Sequence, residues 1–311
     1  MRTRSTHVLL LGSMIFFGCS STTATLADGG AVEDASDDAG IDSGNSDAGT
    51  SNSSMLDAGT CALMSNTTAT STITSGCTLA TRDVSSCKAM RQAAGLTGAW
   101  LKFSCRVTLT KSGNTVTLVA DSQPDHKSNY FASADACYTA YKTTYPNPNS
   151  ISAQTLSMTI PLAPTTTGSA MGLGVVGAAI NGVYIYDNVA APGDDIFREA
   201  GSFDQCQGHP SQGGKYHYHS EPYSISSNDS NLIGIMRDGY FIYGRLDADN
   251  STPTLDAKGG HTAPTPDSVT PVYHYHPVLQ ISTTAGSVGT EARFLAIGTY
   301  YGTPGACMGC Q

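Results

Sequence analysis

From Trp100 onward, short runs of alternating apolar and polar residues, or of apolar residues alone, recur along the chain. Alternation places successive side chains on opposite faces of a strand. The pattern predicts strands over Trp100–Thr110, Thr115–Ala120, Thr155–Ile160, Val176–Ile180, Val183–Tyr186, Leu232–Met236, Tyr240–Tyr243, Val272–His276 and Arg293–Thr299. Gly and Pro punctuate the gaps. Lys111-Ser-Gly-Asn114 reads as a hairpin turn, and Asn181-Gly182 and Asp238-Gly239 as type I′ turns. Short helices are expected around Cys87–Ala94 and Ser133–Tyr145. The predicted class is mainly β, a sandwich- or barrel-like domain with long loops and few peripheral helices.

Part of this pattern occurs twice. Gly177–Asp187 (GAAINGVYIYD) resembles Gly234–Gly244 (GIMRDGYFIYG), and Phe203–His219 (FDQCQGHPSQGGKYHYH) resembles Leu255–His276, which ends in the same Tyr-His-Tyr-His. Gly182 and Gly239 are 57 positions apart, as are His217 and His274, whereas His209 and His261 are 52 apart. The loops on either side of that histidine therefore differ in length, and the differences cancel. Loops slip in this way while paired elements keep register. Residues 171–222 and 228–280 are read as two tandem copies of one β unit.

On a strand, Tyr216 and Tyr218 share one face while His217 and His219 share the other; Tyr273 and Tyr275 stand likewise against His274 and His276. Tyrosines bury well as a core face. Two imidazoles at i and i+2 lie side by side at a spacing suited to one metal ion. His209 and His261, from the preceding loops, supply a third ligand to each pair. Three imidazoles with an open position make a catalytic type of coordination sphere, and copper and zinc both suit nitrogen ligands. Spacing alone leaves open whether there are two sites or one shared between the halves. The plain alternative is a structural histidine cluster bonded to backbone carbonyls.

Composition adds a compartment. Arg2 and Arg4 precede an apolar stretch, Val8–Phe17, too short to span a bilayer. Phe16-Phe-Gly-Cys19 follows, similar to a bacterial lipobox, so 1–19 is expected to be a lipoprotein signal peptide with Cys19 the lipidated residue. Ser20 fits outer-membrane retention, which places the protein in the bacterial cell envelope, periplasmic or surface-exposed. Residues 20–60 are Ser, Thr, Ala, Gly and Asp with eight acids and no Lys or Arg, an expected disordered tether. Outside these segments 14 basic and 17 acidic residues remain, a net charge of −3. That near-neutral balance excludes nucleic acid as a natural partner; the membrane enters only through the lipid anchor. Setting Cys19 aside leaves Cys61, Cys77, Cys87, Cys105, Cys137, Cys206, Cys307 and Cys310 as disulfide candidates, an even number suited to an oxidising envelope. Residues 61–311 form the folded domain, opened by a Cys-rich segment and hairpin over 61–114. No phosphate loop, Gly-X-Ser-X-Gly elbow or His-Glu-X-X-His motif occurs.

The ordered motifs resemble the YHYH domain family over Thr115–Gln311. They are Gln123-Pro-Asp-His126, Asn181-Gly-Val183, Cys206-Gln-Gly-His209, Tyr216-His-Tyr-His219, Asp238-Gly239 with Ile242-Tyr-Gly244, Asp256, Gly260-His261 and Tyr273-His-Tyr-His276. The resemblance implies no particular reaction, but it draws His126, with Asp125 beside it, into the candidate site. Lys258 stands where the family pattern often has a cysteine, so Cys206 is expected to pair elsewhere, the C-terminal cysteines being candidates. Asp125, Asp204, Asp238 and Asp256 are candidates to orient the histidines or act as bases. The readings carried forward are an envelope lipoprotein that binds copper or zinc, a metal-dependent oxidase or hydrolase using the same histidines, and a non-catalytic surface module.

Overall fold

A computed structural model describes residues 82–192 and 194–310. The signal segment, the tether, Cys19, Cys61, Cys77 and most of the Cys-rich lead-in lie outside the described residues. The strands are β1 (Thr108–Ser112), β2 (Thr115–Ala120), β3 (Leu156–Pro161), β4 (Ser169–Ala170), β5 (Val175–Ala179), β6 (Tyr184–Tyr186), β7 (Gly208–Pro210) and β8 (Tyr216–Tyr218). They continue as β9 (Leu232–Met236), β10 (Phe241–Tyr243), β11 (Gly260–Thr265), β12 (Ser268–Tyr275), β13 (Val278–Ile281), β14 (Glu291–Phe294), β15 (Thr299–Tyr300) and β16 (Cys307–Met308). Helices are few and short: α1 (Lys88–Ala93) and α2 (Ile196–Glu199). None among the described residues is long and apolar enough to cross a membrane.

The molecule is mainly β, as the alternation predicts. A four-stranded sheet runs β1-β2-β3-β16, and an eight-stranded sheet runs β11-β12-β10-β9-β5-β6-β8-β7. In β2 and β3 every second residue is buried, whereas all of β5 and β9 is. Strands covered on both faces read as unbroken apolar runs, which is why those two show no alternation. Val116, Leu118, Met158 and Ile160 of the smaller sheet share one core with Val176, Ile185, Ile233 and Ile235 of the larger. The edges β7 and β11 do not pair with each other, so the sheet is open and the layers are sandwich-like; the barrel alternative is not realised.

The larger sheet reads the same from either edge. In one half β6 pairs parallel with β8, Ile185 opposite Tyr218; in the other β10 pairs parallel with β12, Ile242 opposite Tyr275. His209 faces His217 across β7 and β8 as His261 faces His274 across β11 and β12. The halves meet where β5 pairs antiparallel with β9, Ala178 opposite Ile235. There Gly177 and Gly234 allow close backbone approach: a Cβ on Gly234 would lie 2.2 Å from the Ala178 carbonyl oxygen, and one on Gly177 2.6 Å from that of Ile235.

Four local expectations are corrected. The turns at Asn181-Gly182 and Asp238-Gly239 are not type I′, since only the glycines take positive φ (+90° and +95°). Gly182 N–H donates to the Ala179 carbonyl and Ala179 N–H to the Val183 carbonyl, with Gly239, Met236 and Tyr240 repeating the pattern. That is a three-residue loop closed by a glycine bulge. Ser133–Tyr145 is not a helix: Asp135 accepts the Cys137 N–H at 2.7 Å and fixes a local turn instead. Trp100 sits in a 3₁₀ turn (Gly98–Lys102), and the strand starts only at Thr108. Buried Arg91 takes the carbonyls of Phe103, Ser104 and Val107 that a longer ladder would need. Arg293–Thr299 splits into β14 and β15 around Gly298, whose φ is +82°. Among the cysteines, Cys87 bonds Cys105 and Cys307 bonds Cys310. Cys137 and Cys206 are also in disulfides; the C-terminal pair being satisfied, Cys206 does not bond there.

Candidate metal centres

In each half of the large sheet a Tyr-His-Tyr-His strand lies between its hairpin partner and a parallel neighbour, which fixes where every ring points. Tyr216, Tyr218 and Tyr275 are at most 1 % exposed and pack into the core, as the period-2 reading expects. The histidines of the opposite face are equally buried: His209, His217, His219, His274 and His276 are all 2 % exposed or less.

Backbone carbonyls set the ring orientation. His217 Nδ1 donates to the Lys215 carbonyl at 2.9 Å and His219 Nδ1 to that of Asp187 at 2.5 Å. His274 and His276 do the same toward Val272 (2.9 Å) and Gly244 (2.5 Å). A ring that donates from Nδ1 while neutral presents a bare lone pair at Nε2. These lone pairs converge. In the first cluster Nε2 of His217 lies 3.1 Å from that of His209 and 3.0 Å from that of His219. In the second, Nε2 of His276 lies 3.2 Å from that of His261. His209, whose Nδ1 is 2.8 Å from Ser202 Oγ, completes the first trio.

Protons do not relieve the crowding. Burial, and then the neighbouring imidazoles, pull His209 and His217 well below the usual histidine range; burial takes His219 down to about 4. Burial likewise lowers His274 and takes His276 to about 4. In the first cluster, neutral rings whose Nε2 atoms stand about 3 Å apart repel unless a cation sits between them. Carbonyl-backed imidazoles of this kind are how proteins orient metal ligands, so the donor sets fit a metal ion.

The two centres differ in their carboxylates. Asp247 joins the second cluster: its Oδ1 lies 2.9 Å from His261 Nε2, 3.5 Å from His274 Nε2 and 3.6 Å from His276 Nε2. Asp247, His261, His274 and His276 form one four-donor group, while His209, His217 and His219 form a three-donor group. Beside the first, Glu199 Oε1 approaches His209 alone, at 3.4 Å, and its Oε2 is buried without a hydrogen-bond partner. Burial and then Asp194 push the Glu199 carboxyl up to about 7. His217, His219 and Glu199 line a cleft of about 680 Å³, and Tyr186 stacks on His217 there with ring centroids 4.0 Å apart.

Other predicted site residues stand elsewhere. His126 is not in either cluster: its Nε2 meets the hydroxyls of Tyr218 (3.2 Å) and Tyr216 (3.5 Å), on the core face of β8. Three of the four aspartates accept from the tyrosines, and none of the four bonds a clustered histidine. Asp204 accepts from Tyr216, Asp256 from Tyr273 and Asp238 from Tyr275. Asp125 accepts from Arg82 and Asn181; burial pushes its carboxyl up, but Arg82, His126 and Asn181 together hold it below its ordinary value. Tyr186 matches Tyr243 of the similar stretch, but its place on His217 follows only from the pairing of β6 with β8, and Asp247, Glu199 and Lys215 carry no periodic or repeated signal. The five-residue slip between the histidine offsets marks their loops: β6 to β7 holds α2 and Glu199, and the shorter β10 to β11 loop holds Asp247.

Fold and site together define a layered, mainly β protein with a buried histidine cluster in each half of one open sheet. Residues 157–254 match the family model described as YHYH protein, so the chain carries a YHYH segment. The match is narrower than the Thr115–Gln311 resemblance. It takes in the first cluster and Asp247 but ends before His261, His274 and His276, and excludes His126. No curated protein and no solved structure matches the chain.

Proposed function

We propose that this is a transition-metal protein of the bacterial cell envelope with two separate histidine centres. The observation that carries the reading is the convergence of imidazole Nε2 atoms at 3.0–3.2 Å in both halves, the four Tyr-His-Tyr-His imidazoles being backed at Nδ1 by carbonyls. All donors are nitrogen or carboxylate oxygen, without thiolate or thioether, which suits Zn(II) or Cu(II) over Cu(I). Equal register on the two sides of β5 and β9 supports descent of the halves from one duplicated unit. The test is metal analysis and calorimetric titration of the purified chain. Two equivalents of zinc or copper are expected, falling to one in His217→Ala and to one in His274→Ala. Wild-type chain with no affinity for either ion at neutral pH sinks the reading.

The envelope assignment rests on the N-terminal sequence. Radiolabelled fatty acid should enter the wild-type chain and not Cys19→Ser, and the variant should leave the membrane fraction. Labelling that survives Cys19→Ser refutes the anchor. An enzymatic role is the second reading, favoured by the cleft that reaches the first centre and by Glu199 on its wall.

A further inference from the structure

The two clusters share a backbone plan, yet they offer different things to a fourth ligand. At the second, Asp247 reaches all three imidazoles from 2.9 to 3.6 Å and fills the remaining position. At the first, the carboxylate of Glu199 approaches His209 alone, at 3.4 Å, so the convergent donors are three imidazoles, and two of them line a cleft. Three protein ligands with an open position characterise exchangeable sites, whereas four closed ligands characterise structural ones.

The cleft has the dimensions and lining of a small-molecule site. Its volume of about 680 Å³ lies within the usual range for such pockets. Leu173, Val189, Ala190 and Pro192 make an apolar wall, and Leu173 and Val189 are 57 % and 49 % exposed at its mouth. Glu199 and Lys215 are the charged residues on its lining. Glu199 lines the cleft, and its buried Oε2 has no hydrogen-bond partner.

We propose that the first centre is an exchangeable ligand-binding site and the second a closed structural one. The ligand of the first combines an apolar body with a head group that offers an anionic oxygen to the centre and a donor hydrogen to Glu199. This inference rests on the reading of both clusters as metal centres. Hydroxamates have such a head and serve as probes: the oxygen addresses the metal and Lys215, the N–H addresses Glu199, and the alkyl chain addresses Leu173 and Val189.

The full chain loaded with Co(II) reports on coordination through its visible bands. Two equivalents should bind, and octanohydroxamate should perturb the bands of one. Acetohydroxamate, lacking most of the chain, should bind about tenfold weaker or more, since each buried methylene contributes to affinity. Leu173→Asp should remove that chain-length preference while leaving Co(II) stoichiometry at two. Glu199→Gln should weaken both hydroxamates, and His274→Ala should lose one Co(II) yet keep the full hydroxamate response. Two bound equivalents that respond alike, or not at all, overturn the inference while the metal reading stands. Response without chain-length preference overturns the apolar-body assignment. A chain that binds no Co(II), zinc or copper removes both readings.

Discussion

At the scale of the residue, each clustered imidazole of a His-Tyr-His strand is held from behind by a carbonyl and kept neutral by burial, and that has a cost in acid. His219 and His276 titrate near 4 in the folded protein and near 6.5 when unfolded. Below pH 6.5 the unfolded chain therefore binds more protons than the folded one. The contribution of these groups is fully present above pH 6.5 and is lost as pH falls toward 4. For the metal-free protein the loss between pH 7 and pH 5 is on the order of 2–4 kcal/mol from these two rings. Glu199, held up near 7 by burial and Asp194, acts with the opposite sign over the same window, so a difference between variants is the clean measurement. Urea unfolding of EDTA-treated protein at pH 7 and pH 5 should show a smaller pH dependence in the His219→Gln, His276→Gln double variant than in wild type. Equal pH dependence would mean that the buried rings take up protons in the folded protein as readily as in the unfolded chain, and the lone-pair argument would fall with it.

At the scale of the element, the sheet is organised around the β5 and β9 contact, where two glycines let the backbones close. Gly234→Ala puts a Cβ 2.2 Å from the Ala178 carbonyl oxygen and 2.8 Å from the Ala179 Cα, both backbone of β5 that cannot swing aside. The expected loss is about 2–3 kcal/mol, typical of overpacking in a filled interior. Gly172→Ala meets nothing within 4 Å and should change stability by less than about 0.5 kcal/mol. Chemical denaturation of the pair separates packing from the general effect of replacing glycine, and similar values for both would refute the close-approach account. The same elements show what the chain discloses about itself. Strand positions, the tyrosine core face and six of the cluster ligands follow from a period of two and from the two Tyr-His-Tyr-His stretches with the Gly-His that precedes each, all visible in the sequence. Asp247 and Glu199 do not follow, because each lies in an irregular loop whose path is set by tertiary packing. His126 and the four aspartates misled for a related reason. Near the motif along the chain, they fall on the tyrosine side of the strands, and only the pairing of Tyr216, Tyr273 and Tyr275 with carboxylates shows which face they serve.

At the scale of the whole molecule, the centres occupy opposite flanks of one eight-stranded sheet. Four strands separate β8 from β12, which at ~4.8 Å per strand spacing sets the clusters roughly 24 Å apart. No residue belongs to both donor groups. Sites so far apart without shared partners contribute to stability independently, and bound metal stabilises the fold through mass action at each. Asp247→Ala and His217→Ala should therefore each remove part of the stabilisation that saturating zinc confers, and the double variant should lose the sum to within about 0.5 kcal/mol. The measurement is the difference in unfolding free energy between zinc-loaded and metal-free forms of wild type, both single variants and the double variant. Taking that difference within each variant cancels the packing cost of the substitutions. A double variant that falls short of the sum by more than this margin would mean that β10, β9, β5 and β6 transmit strain between the flanks. The two centres would then act as one cooperative unit, not as a structural site and an exchangeable one.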